Sequence, residues 1–150
     1  MLDAVMAKNC AGCFWVYGPR LPDTLKVIQG WAFTYKSELL TWVKPGMGTG
    51  KTTRKVVENM WLATRGKGLP IRDHGVSQGV FSAEDLPLII RAPRRAHSRK
   101  PDESYDALER LYGDVRRLEL FARRERAGWT TWGNDVTPEI TTHLEREPVF

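Results

Sequence analysis

The stretch His97-Ser98-Arg99-Lys100-Pro101-Asp102-Glu103 joins a basic loop to the start of a helix. Proline is favoured in a first helical turn because no N–H is lost there, and acidic side chains in that turn complement the helix dipole. Helical spacing places Tyr105, Leu108 and Leu111 on one face, and Gly113 stands where a C-cap is expected. The sequence therefore predicts an amphipathic helix that starts beside Lys100.

Strand-like segments alternate with helical ones on both sides of this stretch. Short apolar runs predict strands, and a second helix begins at Leu21, where Pro22 and Asp23 occupy the first turn. The predicted strands cover residues 13–17, 37–44, 59–64, 88–90, 118–121 and 130–132. Strands that alternate with helices indicate an α/β fold with a parallel or mixed sheet covered on both faces.

Length and charge limit the organisation and the partners. The 150 residues are 41% apolar, which fits one domain over residues 1–136, followed by a polar tail over residues 137–150. Lys and Arg total 23 against 18 Asp and Glu, and the excess is concentrated in residues 91–100 and 116–126. Such clusters bind polyanions, although a solvated basic surface has the same composition. Charge alone therefore leaves both interpretations open.

The two cysteines, Cys10 and Cys13, form one CxxC pair without the second pair that a tetrahedral zinc site needs. A redox pair has the same spacing, but Cys13 leads directly into the apolar run 14–17, where buried thiols are common. We therefore predict structural thiols and no metal. The sequence shows neither a secretory signal nor a membrane-spanning stretch, so a cytoplasmic protein without a membrane partner is expected.

A glycine-rich stretch, Gly46-Met47-Gly48-Thr49-Gly50-Lys51-Thr52, resembles a phosphate-binding P-loop. The full motif requires a glycine where this chain has Pro45, and the helix expected next, over residues 53–60, runs into a strand-like segment. A P-loop-like NTPase is therefore an alternative function. The other interpretation is a mobile loop between two strands, whose Lys44, Lys51, Arg54 and Lys55 contact a nucleic-acid backbone.

Three stretches, taken together and in order, resemble the MT-A (seventy-kilodalton subunit) family of S-adenosylmethionine-dependent N6-adenine methyltransferases. The stretches are residues 14–22, residues 97–103, and residues 118–123 with Trp129 and Trp132-Gly133-Asn134. The similarity covers about residues 13–136 and is most specific in the C-terminal half. Residues 94–102 and 132–136 resemble the phage and bacterial DNA enzymes of the family more than the messenger-RNA enzymes.

The resemblance implies a Rossmann-like sheet with permuted motif order, in which an acidic-Pro-Pro-Trp catalytic loop precedes the cofactor-binding segments. This chain contains no Pro-Pro pair. We therefore expect a fold that is incomplete at its N-terminus, with no catalytic residue of its own. The implied function is methyl transfer from S-adenosyl-L-methionine to N6 of adenine in DNA, with this chain supplying the cofactor-binding part. A non-catalytic nucleic-acid-binding partner or relic of such an enzyme is the other alternative.

The resemblance also assigns roles to individual residues. Lys100 matches the lysine that holds the carboxylate of the cofactor, Arg123 matches a ribose contact, and Asn134 contacts sugar or adenine. Strand alternation places Glu119 on the same face as Phe121, so both are candidates for the pocket, and Glu119 is a candidate partner of Lys100.

One departure from the family concerns the ribose contacts. Glu125 and Arg126 stand where messenger-RNA enzymes have His and Asn, which puts those two contacts in doubt.

Basic residues are assigned to the nucleic acid. DNA is the expected partner, RNA is the less favoured one, and a homodimer or a paired methyltransferase subunit is a further expectation. The predicted nucleic-acid contacts are Lys44, Lys51, Arg54, Lys55, Arg94, Arg95 and Arg99.

Overall fold

A computed structural model describes residues 4–46, 56–71, 89–96 and 99–136. These residues belong to two compact units, one comprising Lys8–Gly113 and the other Met1–Ala7 with Asp114–Phe150, and each unit is described by itself. No helix in the described ranges has the length and apolarity that crossing a membrane requires. The single domain over residues 1–136 stays a prediction, and the tail 137–150 lies outside the described residues.

The larger unit contains a mixed four-stranded sheet in the order β1-β3-β2-β4. Antiparallel pairing joins β3 to β1 and to β2, whereas β4 runs parallel to β2. The strands are β1 (Cys10–Val16), β2 (Thr34–Val43), β3 (Val57–Arg65) and β4 (Ile89–Arg91). The predicted mixed α/β sheet is confirmed.

One face of this sheet packs against α2 (Asp102–Tyr112). Leu40, Trp42 and Met60 from the sheet form a buried cluster with Ala107 and Leu111 from the helix. Strand alternation explains the set, because Leu40 pairs with Met60 and their side chains share one face. The helix ends at Gly113, whose φ of 65° is accessible to glycine at low cost. The helix and the buried face predicted from the sequence are both confirmed.

The opposite face packs near α1 (Leu21–Gly30), which begins at the predicted residue. Ile28 of this helix is 1% exposed, and the ring of Phe14 on β1 contacts the rings of Trp31 and Phe33 at 6.0 and 5.6 Å between centroids. A Cβ at Gly12 would lie 2.6 Å from the Phe14 ring and 2.8 Å from the Phe33 ring, so any larger residue would displace these rings. Helices therefore cover both faces of the sheet, as predicted.

The second unit contains two short parallel strands, β5 (Leu118–Leu120) and β6 (Thr130–Trp132). The amide of Ala122 donates to the carbonyl of Trp132 (2.9 Å) and extends this pairing. A Cβ at Gly133 would lie 2.2 Å from the Ala122 carbonyl oxygen, so only glycine permits the two backbones to approach this closely.

Several predicted boundaries differ from the structure, including those of β1, β3 and β4, which shift by one to three residues. Residues 34–36 belong to β2 although all three side chains are exposed and give no apolar alternation, because Thr34 and Tyr35 pair with β3 through their backbone. The helix predicted over residues 53–60 by the P-loop interpretation is wrong for residues 57–60, which lie in β3. Phe121 was predicted in a strand but follows β5 with a left-handed φ of 62°, so the alternation argument that paired it with Glu119 does not apply.

Candidate functional site

The carboxyl ends of the parallel strands β2 and β4 lie side by side, since Trp42 pairs with Ile90 and Val43 with Arg91. Open α/β sheets bind ligands at this end. Lys44 follows β2 directly, and its amide donates to the Val56 carbonyl (2.7 Å) to continue the β2–β3 hairpin. Charged side chains from three neighbouring segments meet here.

The carboxylate of Glu58 accepts hydrogen bonds from two ammonium groups. Lys44 donates to Oε1, and Lys100 donates to Oε2 at 2.5 Å. Burial alone would raise the pKa of Glu58, but the hydrogen bonds and charges of the two lysines hold it below its ordinary value. With two ammonium groups and one carboxylate, this cluster carries one excess positive charge.

Two indole rings line the same cluster. The Lys100 ammonium lies 5.1 Å from the Trp15 ring centroid and 6.0 Å from that of Trp42, and the Lys44 ammonium lies 4.5 Å from Trp42. Trp42 is buried, and its Nε1 donates to the Ala92 carbonyl at 2.8 Å. Aromatic faces attract cations and reduce their contact with water. The site therefore presents partly buried positive charge, which suits an anionic ligand group.

Lys100 enters this cluster from the residue before the cap of α2. Pro101 is the N-cap, and its carbonyl accepts from the Ser104 hydroxyl (2.7 Å) and the Ser104 amide (3.1 Å). Both Pro101 and Ser104 are almost fully buried, so the start of the helix is fixed by packing. Arg99 is paired with Asp102 (3.2 Å) in the first turn. These contacts hold the backbone from Arg99 to Ser104, on which Lys100 lies.

The second unit groups other predicted site residues. Arg123 Nη1 lies 3.0 Å from Asp135 Oδ2, next to the exposed Asn134. Phe121 is 66% exposed and packs edge-on against Trp132, which is 41% exposed, with 5.7 Å between ring centroids. An exposed aromatic residue in a left-handed conformation is uncommon, and such backbone strain is concentrated at functional sites.

The predicted nucleic-acid contacts have different surroundings. Arg94 and Arg95 are exposed, whereas Lys44 belongs to the Glu58 cluster and is not an isolated loop cation. The predicted contacts Lys51, Arg54 and Lys55 lie outside the described residues.

Glu58, Trp15 and Trp42 were not predicted as site residues from the sequence. Glu58 supplies the carboxylate partner for Lys100 that was sought in Glu119. Strand alternation could have identified Glu58, because it lies two residues before the buried Met60 and therefore on the same face of the sheet. It also pairs with Trp42 on the neighbouring strand. Placing Lys100 beside it required a contact across 42 residues of sequence.

Cys10 and Cys13 are both free thiols on β1. Three residues apart on a strand, their side chains leave opposite faces of the sheet, so they do not form one site. Cys13 packs against the core, and burial raises the pKa of its thiol to about 12. Such a thiol is a poor nucleophile and a poor metal ligand. Among the described residues, no group of three or more His, Cys, Asp or Glu is arranged to hold a metal.

The MT-A70 family model matches residues 2–135. The type II methyltransferase M.MunI of Mycoplasma sp is 25% identical over 135 residues, which covers 90% of this chain and 54% of the relative. The catalytic subunit METTL3 of the N(6)-adenosine-methyltransferase of Homo sapiens is 30% identical over 129 residues, 81% of this chain and 21% of that protein.

A shorter match has higher identity. The N(6)-adenine-specific methyltransferase METTL4 of Homo sapiens is 40% identical over 68 residues, 45% of this chain and 14% of the relative. The chain thus spans about half the length of the mycoplasmal relative, and much less of the two human ones.

Proposed function

The chain belongs to the MT-A70 family of methyltransferases, and on that premise we propose that it supplies the cofactor-binding part of an enzyme that methylates N6 of adenine in DNA with S-adenosyl-L-methionine. METTL4 is an N(6)-adenine-specific methyltransferase, METTL3 is the catalytic subunit of an N(6)-adenosine-methyltransferase, and M.MunI is a type II methyltransferase. The DNA substrate is supported by the resemblance of residues 94–102 and 132–136 to the phage and bacterial DNA enzymes of the family.

One observation carries the cofactor assignment. The Lys100 ammonium is held at the carboxyl ends of parallel strands, against two indole rings and beside a second lysine. The amino-acid moiety of S-adenosylmethionine ends in a carboxylate, which a partly buried ammonium binds through a charged hydrogen bond worth about 1.5–3 kcal/mol. The residues present therefore fit the group that the family implies.

The second unit supplies chemistry that fits a nucleoside. Arg123 offers guanidinium donors to ribose hydroxyls, and Asn134 offers an amide that both donates and accepts. The exposed rings of Phe121 and Trp132 provide a face for adenine, since planar rings stack with a favourable free energy of about 0.5–1.5 kcal/mol. We assign these residues to the adenosine moiety.

The family's acidic-Pro-Pro-aromatic motif does not occur in the 150 residues. In the family this motif orients the adenine amine toward the methyl group, and S-adenosylmethionine supplies that methyl group when bound. We therefore propose that this chain alone does not methylate adenine. Incubation with duplex DNA and cofactor is expected to give no 6-methyladenine above a control without protein, and a clear product would contradict this proposal.

A three-variant titration tests the assignment. In a version extended by an upstream segment that carries the motif, Lys100→Ala and Arg123→Ala should each weaken S-adenosylmethionine binding roughly ten- to a hundredfold, the loss expected for one charged hydrogen bond. Lys51→Ala should leave cofactor binding unchanged. The same variants are titrated with ATP and with a DNA duplex.

The titration also separates the NTPase alternative. A P-loop connects a strand to a helix, but here the glycine-rich stretch lies between the antiparallel strands β2 and β3. ATP binding that is lost specifically in Lys51→Ala would overturn the methyltransferase assignment of this site.

A further inference from the structure

We infer that Glu58 is a positioning residue for Lys100: it fixes the ammonium between Trp15 and Trp42 and keeps Lys44 next to it. This inference rests on the proposed binding of the cofactor's carboxylate by Lys100. It adds a residue that does not itself bind the ligand, because a carboxylate repels the carboxylate that the site is proposed to take.

The need for such a residue follows from the charges. Both ammonium groups bond the two oxygens of one carboxylate, so they lie close together, and like charges at that separation repel strongly in a partly buried site. The side chains of Lys44 and Lys100 are only 14% and 24% exposed, so water screens this repulsion poorly. Without Glu58, at least one lysine is expected to move toward solvent.

Lys100 keeps N–H donors for a ligand while it is bonded to Glu58. An ammonium has three N–H donors, and the described contacts of Lys100 use one of them for Glu58 Oε2. The indole rings of Trp15 and Trp42 lie within 5.1 and 6.0 Å of the same ammonium and use none of its hydrogen-bond donors in a conventional hydrogen bond. Glu58 therefore orients Lys100 and leaves donors available, so its removal should weaken ligand binding and should not enhance it by removing a competitor.

The test compares two ligands that differ in the amino-acid moiety. S-adenosylhomocysteine carries the carboxylate, whereas 5′-methylthioadenosine keeps the nucleoside and lacks it. The 150-residue chain is titrated with each ligand by NMR, which measures weak affinities. Glu58→Gln is expected to weaken S-adenosylhomocysteine binding by about tenfold, the smaller loss expected for a displaced charged hydrogen bond, and to leave 5′-methylthioadenosine binding unchanged.

Coupling provides a second readout. In a Lys100→Ala background, Glu58→Gln should have no further effect on S-adenosylhomocysteine, because a positioning residue acts through the residue that it positions. With Lys100 present, Glu58→Asp, which keeps the charge, should bind S-adenosylhomocysteine more tightly than Glu58→Gln does. The matched control is Glu38→Gln, which removes the same charge from an exposed position on the opposite face of the sheet.

The outcomes are distinguishable. Affinity that is unchanged or increased in a folded Glu58→Gln variant, alongside weakening by Lys100→Ala, would overturn this inference and leave the proposed function intact. If the unsubstituted chain binds neither nucleoside, the proposed function fails and the inference fails with it. Circular dichroism confirms that each variant is folded, and if Glu58→Gln unfolds, the comparison of Glu58→Asp with Glu38→Gln decides the matter.

Discussion

The ammonium of Lys100 lies 2.5 Å from the carboxylate of Glu58, which stands 42 residues earlier in the chain. The contact joins the segment before α2 to the second residue of β3. Lys44, which directly follows β2, shares the same carboxylate. One acidic side chain thus holds together three segments around the proposed ligand site. Its substitution should affect both stability and binding.

The first prediction concerns acid stability. Burial opposes ionisation of Glu58, but the hydrogen bonds and charges of Lys100 and Lys44 outweigh it and lower the pKa of this carboxyl below its ordinary value. A carboxyl group with a lowered folded-state pKa stabilises the fold above its unfolded-state pKa, and the contribution is lost as the pH falls through the folded-state value. Between about pH 6 and about pH 3, the urea midpoint of the unsubstituted chain should therefore fall more than that of Glu58→Gln. Equal falls in both would contradict this, and Glu38→Gln should behave like the unsubstituted chain.

Local patterns in the sequence were sufficient to predict the helices and most of the strands. The apolar spacing of α2 and its glycine cap depend on neighbours within one or two turns, and the structure confirms both. Residues 34–36 of β2 were missed because their side chains are exposed and only backbone pairing with β3 makes them part of a strand. A backbone pairing with a distant segment leaves no local apolar pattern.

The site residues also divide into those that a local pattern reveals and those that depend on distant pairing. Lys100 was identified through a resemblance and a local helix start, whereas Glu58 and the two tryptophans become a site only through strand register. Trp15 pairs with Met60 and Trp42 with Glu58, which brings both indoles to one face. Such a juxtaposition depends on the order β1-β3-β2, which the sequence analysis did not predict.

The second prediction concerns Gly133. A Cβ at this position meets the backbone oxygen of Ala122 at 2.2 Å and its nitrogen at 2.6 Å, and backbone atoms cannot rotate away. Gly133→Ala should destabilise the β5–β6 pairing by more than about 2 kcal/mol. Hydrogen exchange at the Ala122 amide, which donates to Trp132, is the direct measurement. Gly30→Ala is the control, since nothing lies within 4 Å of its Cβ, and it should be neutral or slightly stabilising. Unchanged protection of Ala122 in Gly133→Ala would show that the close approach is wrong.

The third prediction concerns the thiols. Burial raises the pKa of Cys13 to about 12, and burial, partly offset by Arg65, also raises that of Cys10. A maleimide at about pH 8 should label Cys10 first and Cys13 only on unfolding, because the thiolate is the reactive form. Mild oxidation should produce no bond between the two, since their side chains leave opposite faces of β1. Mass spectrometry of the native protein measures both outcomes, and a Cys10–Cys13 disulfide would contradict the strand assignment. Cys10→Ser is the control for site identity.

The fourth prediction separates folding from binding at Phe121. The left-handed φ of 62° strains a phenylalanine, and its ring is 66% exposed. Phe121→Asn should change the free energy of unfolding by less than about 1 kcal/mol, because asparagine tolerates this conformation while the edge contact with Trp132 is lost. Affinity for 5′-methylthioadenosine should fall about tenfold if the ring stacks on adenine. A large loss of stability with unchanged affinity would assign Phe121 to the fold alone.

The fifth prediction concerns which cations contact DNA. The exposed Arg94 and Arg95 are free to contact phosphate, whereas Lys44 is mostly buried and bonded to Glu58. Each phosphate contact on duplex DNA contributes about 0.9 to the slope of log affinity against log salt concentration. Arg94→Ala and Arg95→Ala should each reduce that slope by about this amount, and Lys44→Ala should leave it nearly unchanged while lowering stability. Lys26→Ala, an exposed lysine on α1, controls for the loss of one positive charge. A slope reduced by a full contact in Lys44→Ala would instead place DNA phosphate at the Glu58 cluster.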